Sequence, residues 1–171
     1  GVVGRDMSDL VTFGETMLRL SPSGQERLER ASELEFRAAG AESNVAVNAG
    51  RLGLDTTWLS KLPDGALGRK VTATVEAQGA TADVVWSDEG RQGTYYLEQA
   101  SAPRPTNVIY DRADAAVTTA TPDELPTERI EGSDAFYTSG ITPALSDTLE
   151  GTTADLLALA KAAGTTTVFD V

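Results

Sequence analysis

GAESNVAVNAGRLGLDTTWLSKLPDGALGRKVTATVEAQG, residues 40–79, is the stretch on which the reading of the fold turns. Gly40-Ala41-Glu42-Ser43-Asn44 opens a helix in which Val45, Ala46, Ala49 and Leu52 recur at helical spacing, and Gly53 stops it. Asp55 to Leu62 then reads as a strand. Gly68 to Gln78 reads as a second helix, with Leu67, Val71 and Val75 on one face and Gly79 beyond its end. Two strand-and-helix units in succession predict an α/β domain with a parallel sheet.

Outward from this stretch the pattern changes twice. Leu10-Val11-Thr12-Phe13-Gly14 is a short apolar run closed by glycine, the mark of a buried core strand whose end approaches a ligand or a tight turn. From Met17 to Ala38 apolar and polar residues alternate, with Leu18, Leu20, Leu28, Leu34 and Phe36 apolar, which predicts strands with one wet face. Ala82 to Trp86 is a further strand. Gly93 to Glu98 and Asn107 to Arg112 are short alternating segments joined by a loop containing Pro103 and Pro105, and a hairpin fits them. Asp134 to Thr138 reads as a core strand, Ser146 to Ala163 as a helix capped by Ser146 and stopped by Gly164, and Thr166 to Val171 as another strand. A β-branched strand of a parallel sheet is normally buried and followed by a crossover helix, so the chain is expected to be interrupted after a core strand.

Composition narrows the function classes. The 171 residues hold 40% hydrophobic and 23% charged residues, enough for one core and without a run long enough to span a membrane. Gly1 to Asp9 lacks the basic start and apolar stretch of a secretory signal. Met7 reads as a natural start, so 1–9 is expected to be an N-terminal extension of a cytoplasmic protein. With no cysteine and no histidine, disulfides, thiolate nucleophiles, imidazole bases and the usual zinc sets are excluded here, leaving Asp, Glu, Arg, Tyr and backbone groups. A net charge of −12 argues against a nucleic-acid surface. Eleven Arg against three Lys, with abundant Asp, Thr and Ala, describes a salt-adapted surface whose carboxylate repulsion is screened at high salt.

Candidate site residues lie at glycine-marked strand ends, because open α/β sheets bind ligands beyond the carboxyl ends of their strands. Gly14, Gly40 and Ser139-Gly140 qualify. The free amides of Ala41 to Ser43 suit an oxygen-rich ligand, although a lone glycine such as Gly40 more often simply permits a tight turn. Neither Gly-x-Gly-x-x-Gly nor a Walker sequence occurs. In the hairpin, Tyr110 and Arg112 are two residues apart and point the same way, and with Tyr95 they suit a carboxylate-bearing, hydroxyl-rich ligand, although such a trio alone is more often a solvated strand face.

Taken in order, Leu10 to Gly14 followed by Glu15, Gly40 to Val47 with Arg51-Leu52-Gly53, and Leu67-Gly68 resemble the N-terminal half of PfkB (ribokinase-like) carbohydrate kinases. The run Tyr137-Thr138-Ser139-Gly140-Ile141-Thr142-Pro143-Ala144-Leu145-Ser146 resembles the 2-keto-3-deoxygluconate kinase branch. The resemblance implies a three-layer α/β/α sandwich over residues 10–171, with a small β-sheet lid from about 17–38 and 93–112. By position it implies sugar contacts from Gly40, Ala41, Glu42, Ser43, Asn44, Tyr95, Tyr110 and Ile141, and an acid-group contact from Arg112. It also implies ATP and Mg²⁺ for the full-length enzyme, a small sugar acid as substrate, and a homo-oligomer formed through the lid. The family's Gly-Ala-Gly-Asp motif, which supplies the base, does not occur here, so this portion is expected to be inactive and to bind neither ATP nor Mg²⁺. Kinases for fructose or another sugar, and a non-enzymatic sugar-acid binding or oligomerisation module, are the alternatives. One departure is Pro63, where the resemblance leads one to expect glycine; proline removes a backbone donor from that turn.

Overall fold

The computed structural model describes residues 7–171. Of the N-terminal extension expected over 1–9, the first six residues lie outside the described residues; Met7 is exposed, and Ser8 is already buried, its hydroxyl 2.7 Å from that of Thr57. Strands β1 (Leu10–Phe13), β4 (Thr56–Pro63), β5 (Thr81–Ser87), β8 (Ala135–Ser139) and β9 (Thr166–Asp170) form one sheet, parallel throughout, in the order β5-β4-β1-β8-β9. A second sheet, in the order β3-β2-β6-β7, is built from β2 (Met17–Ser21), β3 (Glu35–Ala39), β6 (Thr94–Glu98) and β7 (Asn107–Asp111). Its β2–β6 pair is parallel and its other pairs antiparallel.

The parallel sheet is covered on both faces because its strands send apolar side chains both ways. On β4, Trp58 and Leu62 meet α1 (Ala41–Arg51) and α2 (Ala66–Ala77) in a core with Ala46, Val47, Val71 and Val75. Leu59, one residue along and so on the other face, joins Val11, Phe13 and Phe136 under α3 (Thr127–Glu131) and α4 (Asp147–Ala163), with Ile130, Leu149 and Leu156. The result is the expected α/β arrangement of helix, sheet and helix layers.

Helix α4 starts where Ser146 ends the preceding loop. Its hydroxyl accepts the Leu149 N–H at 3.1 Å and donates to the Thr118 carbonyl at 2.6 Å, and Gly164 closes the helix at φ +82°. Ser146→Ala is expected to cost about 1–2 kcal/mol of stability, read as a lower urea midpoint with unchanged slope. At the end of β4, Pro63 brings no N–H, and the next donor, Asp64 N–H, bonds to the Ser87 carbonyl at 2.8 Å. Helix α2 docks so closely there that a Cβ on Gly68 would sit 2.3 Å from the Pro63 carbonyl oxygen.

Several expectations need correction. The buried face of α1 carries Glu42, Ser43, Ala46 and Val47, whereas Val45 and Ala49 are only partly buried and Leu52 is 87% exposed. Polar residues take two core positions, which rotates the true face away from the apolar one. Leu67 is likewise exposed, and Gly68 takes its place beside Val71 and Val75. Between Met17 and Ala38 only the two ends are strands, and β2 is buried at four of its five positions rather than wet on one side. Helix α3 and the 3-10 turns at Ala116–Thr119 and Pro143–Leu145 were not foreseen, being too short for a periodic signal. Strand β9, expected to be buried, is exposed at all five positions along the sheet edge.

Candidate functional site

Strand β1 lies at the centre of the parallel sheet, and the chain builds first to one side of it (β4, β5) and later to the other (β8, β9). This reversal creates a crevice at the carboxyl ends of β1 and β8, the usual ligand position in open α/β sheets. The first turn of α1 sits over that crevice. Its Glu42 is 0% exposed and its Oε1 accepts three hydrogen bonds, from Ser139 N–H at 3.1 Å, Ser139 Oγ at 2.7 Å and Thr142 Oγ1 at 2.7 Å. Gly14 makes the approach feasible, since a Cβ there would lie 2.2 Å from the Glu42 carboxyl carbon. Glu42 therefore fastens the helix start to the ends of β1 and β8.

Gly40 plays a matching part on the other side of that turn. Its Cβ would fall 2.4 Å from the Glu15 carbonyl oxygen and 2.6 Å from Thr16 Oγ1, so only glycine lets the start of α1 lie against the β1–β2 connection. Ser43 is buried within the same contact; its hydroxyl accepts from Thr16 Oγ1 at 2.7 Å and donates to the Gly40 carbonyl at 3.3 Å.

Above Gly40 the second sheet closes a concavity of ≈ 360 Å³ lined by Gly40, Ala41, Asn44, Met17, Tyr95 and Tyr110, among others. Tyr95 and Tyr110 are register partners in the β6–β7 hairpin, with ring centroids 5.8 Å apart. A floor of free helix amides and a wall of phenol groups suit a hydroxyl-rich ligand. A second concavity of ≈ 550 Å³ adjoins Arg112, with Thr118, Leu145 and Ser146 on its other walls.

Arg112 follows directly on β7. Its guanidinium lies over the Tyr110 ring, 5.7 Å from the centroid, and donates through Nη2 to Glu15 Oε2. Glu15 is 7% exposed, and burial pushes its carboxyl above the ordinary carboxylate value; Arg112 opposes this and the charge of Glu42 adds to it. Gly93 again marks a close approach, because its Cβ would sit 2.4 Å from Glu15 Oε1. Gln92 steadies the same corner by donating from Nε2 to the carbonyls of Thr16 (2.8 Å) and Gly93 (3.1 Å). Nearby, Tyr137 donates to Asp170 Oδ2 at 3.4 Å, and burial followed by the charges of Asp170 and Glu42 raises its phenol.

Of the residues expected at the site, Gly40, Ala41, Asn44, Tyr95 and Tyr110 line one cavity and Arg112 stands against its tyrosine wall. Glu42 and Ser43 are buried beneath that cavity and hold its floor in place. Ile141 is exposed beyond β8, between Ser139 and Thr142. Sequence reasoning passed over Glu15, Thr16, Gln92 and Thr142 as working parts, and it placed Ser139 at a candidate strand end without its contact to Glu42. For Glu15 the one available signal was its place directly after a strand-ending glycine.

A model of the pfkB family of carbohydrate kinases matches residues 7–171. A Haloferax volcanii protein, 2-dehydro-3-deoxygalactonokinase, is 65% identical over 164 residues, covering 96% of this chain and 52% of that protein. A Bacillus subtilis 2-dehydro-3-deoxygluconokinase is 31% identical, covering 95% and 50%. Among solved structures, the Thermotoga maritima 2-dehydro-3-deoxygluconokinase superposes with a TM-score of 0.91 at 35% identity, over 95% of this chain and 50% of that one. The chain spans about half the length of the curated relatives it matches.

Proposed function

The chain belongs to the pfkB family of carbohydrate kinases, and from that premise we propose that it is the sugar-recognising portion of an ATP-dependent kinase for a 2-keto-3-deoxyhexonate. The observation that carries the substrate class is the pairing of a cavity walled by Tyr95 and Tyr110 with a guanidinium, Arg112, stacked on its wall. A neutral sugar needs only the first; a sugar acid uses both. In this reading the amides of Ala41 and the side chain of Asn44 bind hydroxyls from below, the tyrosines from above, and the second sheet acts as a lid. Arg112 takes the carboxylate, and Ile141 gives the sugar an apolar neighbour.

Phosphoryl transfer depends on holding acceptor and donor in line and on spreading charge, so this portion contributes acceptor placement. ATP supplies the phosphoryl group and Mg²⁺ the counter-charge in the whole enzyme. Among the described residues no cluster of three or more His, Cys, Asp or Glu is arranged to hold a metal. Residues 1–171 alone, with no Gly-Ala-Gly-Asp sequence, are proposed to bind acceptor without phosphorylating it. The 65% identity to the galactonate-named relative, against 31% and 35% to the gluconate-named ones, favours the galacto epimer as the better substrate.

The test is turnover by the full-length gene product with ATP and Mg²⁺ in about 1 M KCl, where the Debye length is about 3 Å and the charge of −12 is screened. Both keto acids are expected to exceed fructose by about 100-fold in kcat/KM. Fructose turned over as well as the acids, or no turnover of either acid, overturns the proposal.

A further inference from the structure

Building on the proposal that the cavity receives a sugar acid, we infer that Glu15 is a specificity-determining positioning residue whose carboxylate stands in for the ligand's carboxylate on the Arg112 guanidinium until the acid arrives.

Three observations converge on this pair. Glu15 is buried, yet its only side-chain hydrogen-bond partner among the described residues is Arg112; Oε1 has none. A buried carboxylate normally collects several donors, as Glu42 does on its Oε1, although its Oε2, like Glu15 Oε1, has no partner among the described residues. Glu15 thus leans on a single, removable cation. Second, that cation comes from the other sheet: Glu15 follows β1, whereas Arg112 follows β7, so the ion pair bridges the parallel sheet and the lid. Third, Arg112 is among the residues that line the ≈ 550 Å³ concavity, and its guanidinium, with donors beyond the one given to Glu15, lies over the Tyr110 ring that walls the other.

With Glu15 ionised, the pair is neutral and Arg112 offers an incoming carboxylate little net attraction. A ligand carboxylate on the same guanidinium brings a second negative charge close to Glu15, which burial already disfavours. The exchange is completed when Glu15 takes one proton from solvent and releases its hold on Arg112. The charges acting on Glu15 are Arg112 from the hairpin and Glu42 from α1; Lys61 of β4 and Arg91 ahead of β6 line the same small void but are paired with Glu124 and Asp111. Glu42 is held by three donors from Ser139 and Thr142. Binding of the acid therefore takes up a proton and weakens as pH rises through the Glu15 titration.

Glu15→Gln removes the charge and keeps an acceptor for Arg112. Its new N–H₂ enters a small void of ≈ 10 Å³ shared with Gln92, whose Oε1 is buried without a partner among the described residues. In calorimetry on the full-length gene product with 2-keto-3-deoxygalactonate, the wild type should bind more weakly as pH rises from about 5.5 to 8. The Glu15→Gln protein should bind about tenfold more tightly at pH 7, with a flat pH profile. A merely structural role gives weaker acid binding or none. Weaker or unchanged binding, or a pH profile that persists in the variant, overturns the inference. Should the variant fail to fold, wild-type titrations at pH 6.5 in two buffers of different ionisation enthalpy decide: net proton uptake supports the exchange, and zero uptake overturns it. A wild-type protein that binds fructose but no keto acid at any pH overturns the acid-kinase reading and this inference with it.

Discussion

Arg112→Ala in the full-length gene product is expected to lower kcat/KM for the keto acid by about 100-fold and to leave a neutral sugar within about threefold. The factor corresponds to about 3 kcal/mol, typical for removing a charge-assisted contact to a carboxylate in a partly desolvated site. The neutral sugar serves as the internal control, because in the proposed binding mode it meets Tyr95, Tyr110 and the start of α1 but has no group for the guanidinium. The variant carries a second signature. Losing Arg112 leaves Glu15 without its only side-chain hydrogen-bond partner among the described residues, so the carboxyl, already raised by burial, rises further. An acid whose folded pKa lies above its unfolded value costs stability in full above the folded pKa, and that cost disappears as pH falls toward the unfolded value near 4.3. The stability deficit of Arg112→Ala should therefore be greatest at pH 8 and shrink toward pH 5, as read from urea midpoints.

Gly40→Ala carries the largest expected effect on the fold. Gly40 has extended backbone, φ −157°, which any residue adopts, so the effect comes from space rather than strain. The added carbon would lie 2.4 Å from the Glu15 carbonyl oxygen and 2.9 Å from Thr16 Cα, and backbone atoms cannot swing aside. Either α1 lifts from the β1–β2 connection or the connection moves, breaking the Thr16–Ser43 hydrogen bond and opening the cavity floor. A loss of about 2–4 kcal/mol is expected, with loss of sugar-acid binding in calorimetry. Gly151→Ala is the contrast. It lies in α4 with nothing within 4 Å of a new Cβ, and it should stabilise the protein by about 0.5–1 kcal/mol.

How far the fold was legible depended on whether its signals were local. Strand β4 alternates Trp58 and Leu59 between the two cores, and α4 is bracketed by Ser146 and Gly164, so both could be read from adjacent residues. Helix α1 could be located but not oriented. Glu42 and Ser43 occupy its buried face because their partners are Ser139, Thr142 and Thr16, and hydrophobic periodicity cannot register a polar residue satisfied from elsewhere. The same limit hid the Glu15–Arg112 pair, whose members are 97 residues apart and meet only when the hairpin folds over β1. The Tyr95–Tyr110 pair was partly legible, since a hairpin joins residues that are near in sequence and the period of two assigns their face. Motif order accounts for the rest: the run from Tyr137 to Ser146 pointed to the keto-acid branch before the geometry was known, and the relatives from Haloferax volcanii and Thermotoga maritima bear out the family and the fold.

The most direct measurement is a crystal structure of the full-length gene product with 2-keto-3-deoxygalactonate bound. The ligand is predicted in the ≈ 360 Å³ cavity, its hydroxyls within hydrogen-bond distance of the Ala41 amide, Asn44 and the two tyrosines, and its carboxylate on Arg112. Sugar acid bound away from Gly40 and the β6–β7 hairpin, or seated there with its carboxylate turned away from Arg112, would contradict the account.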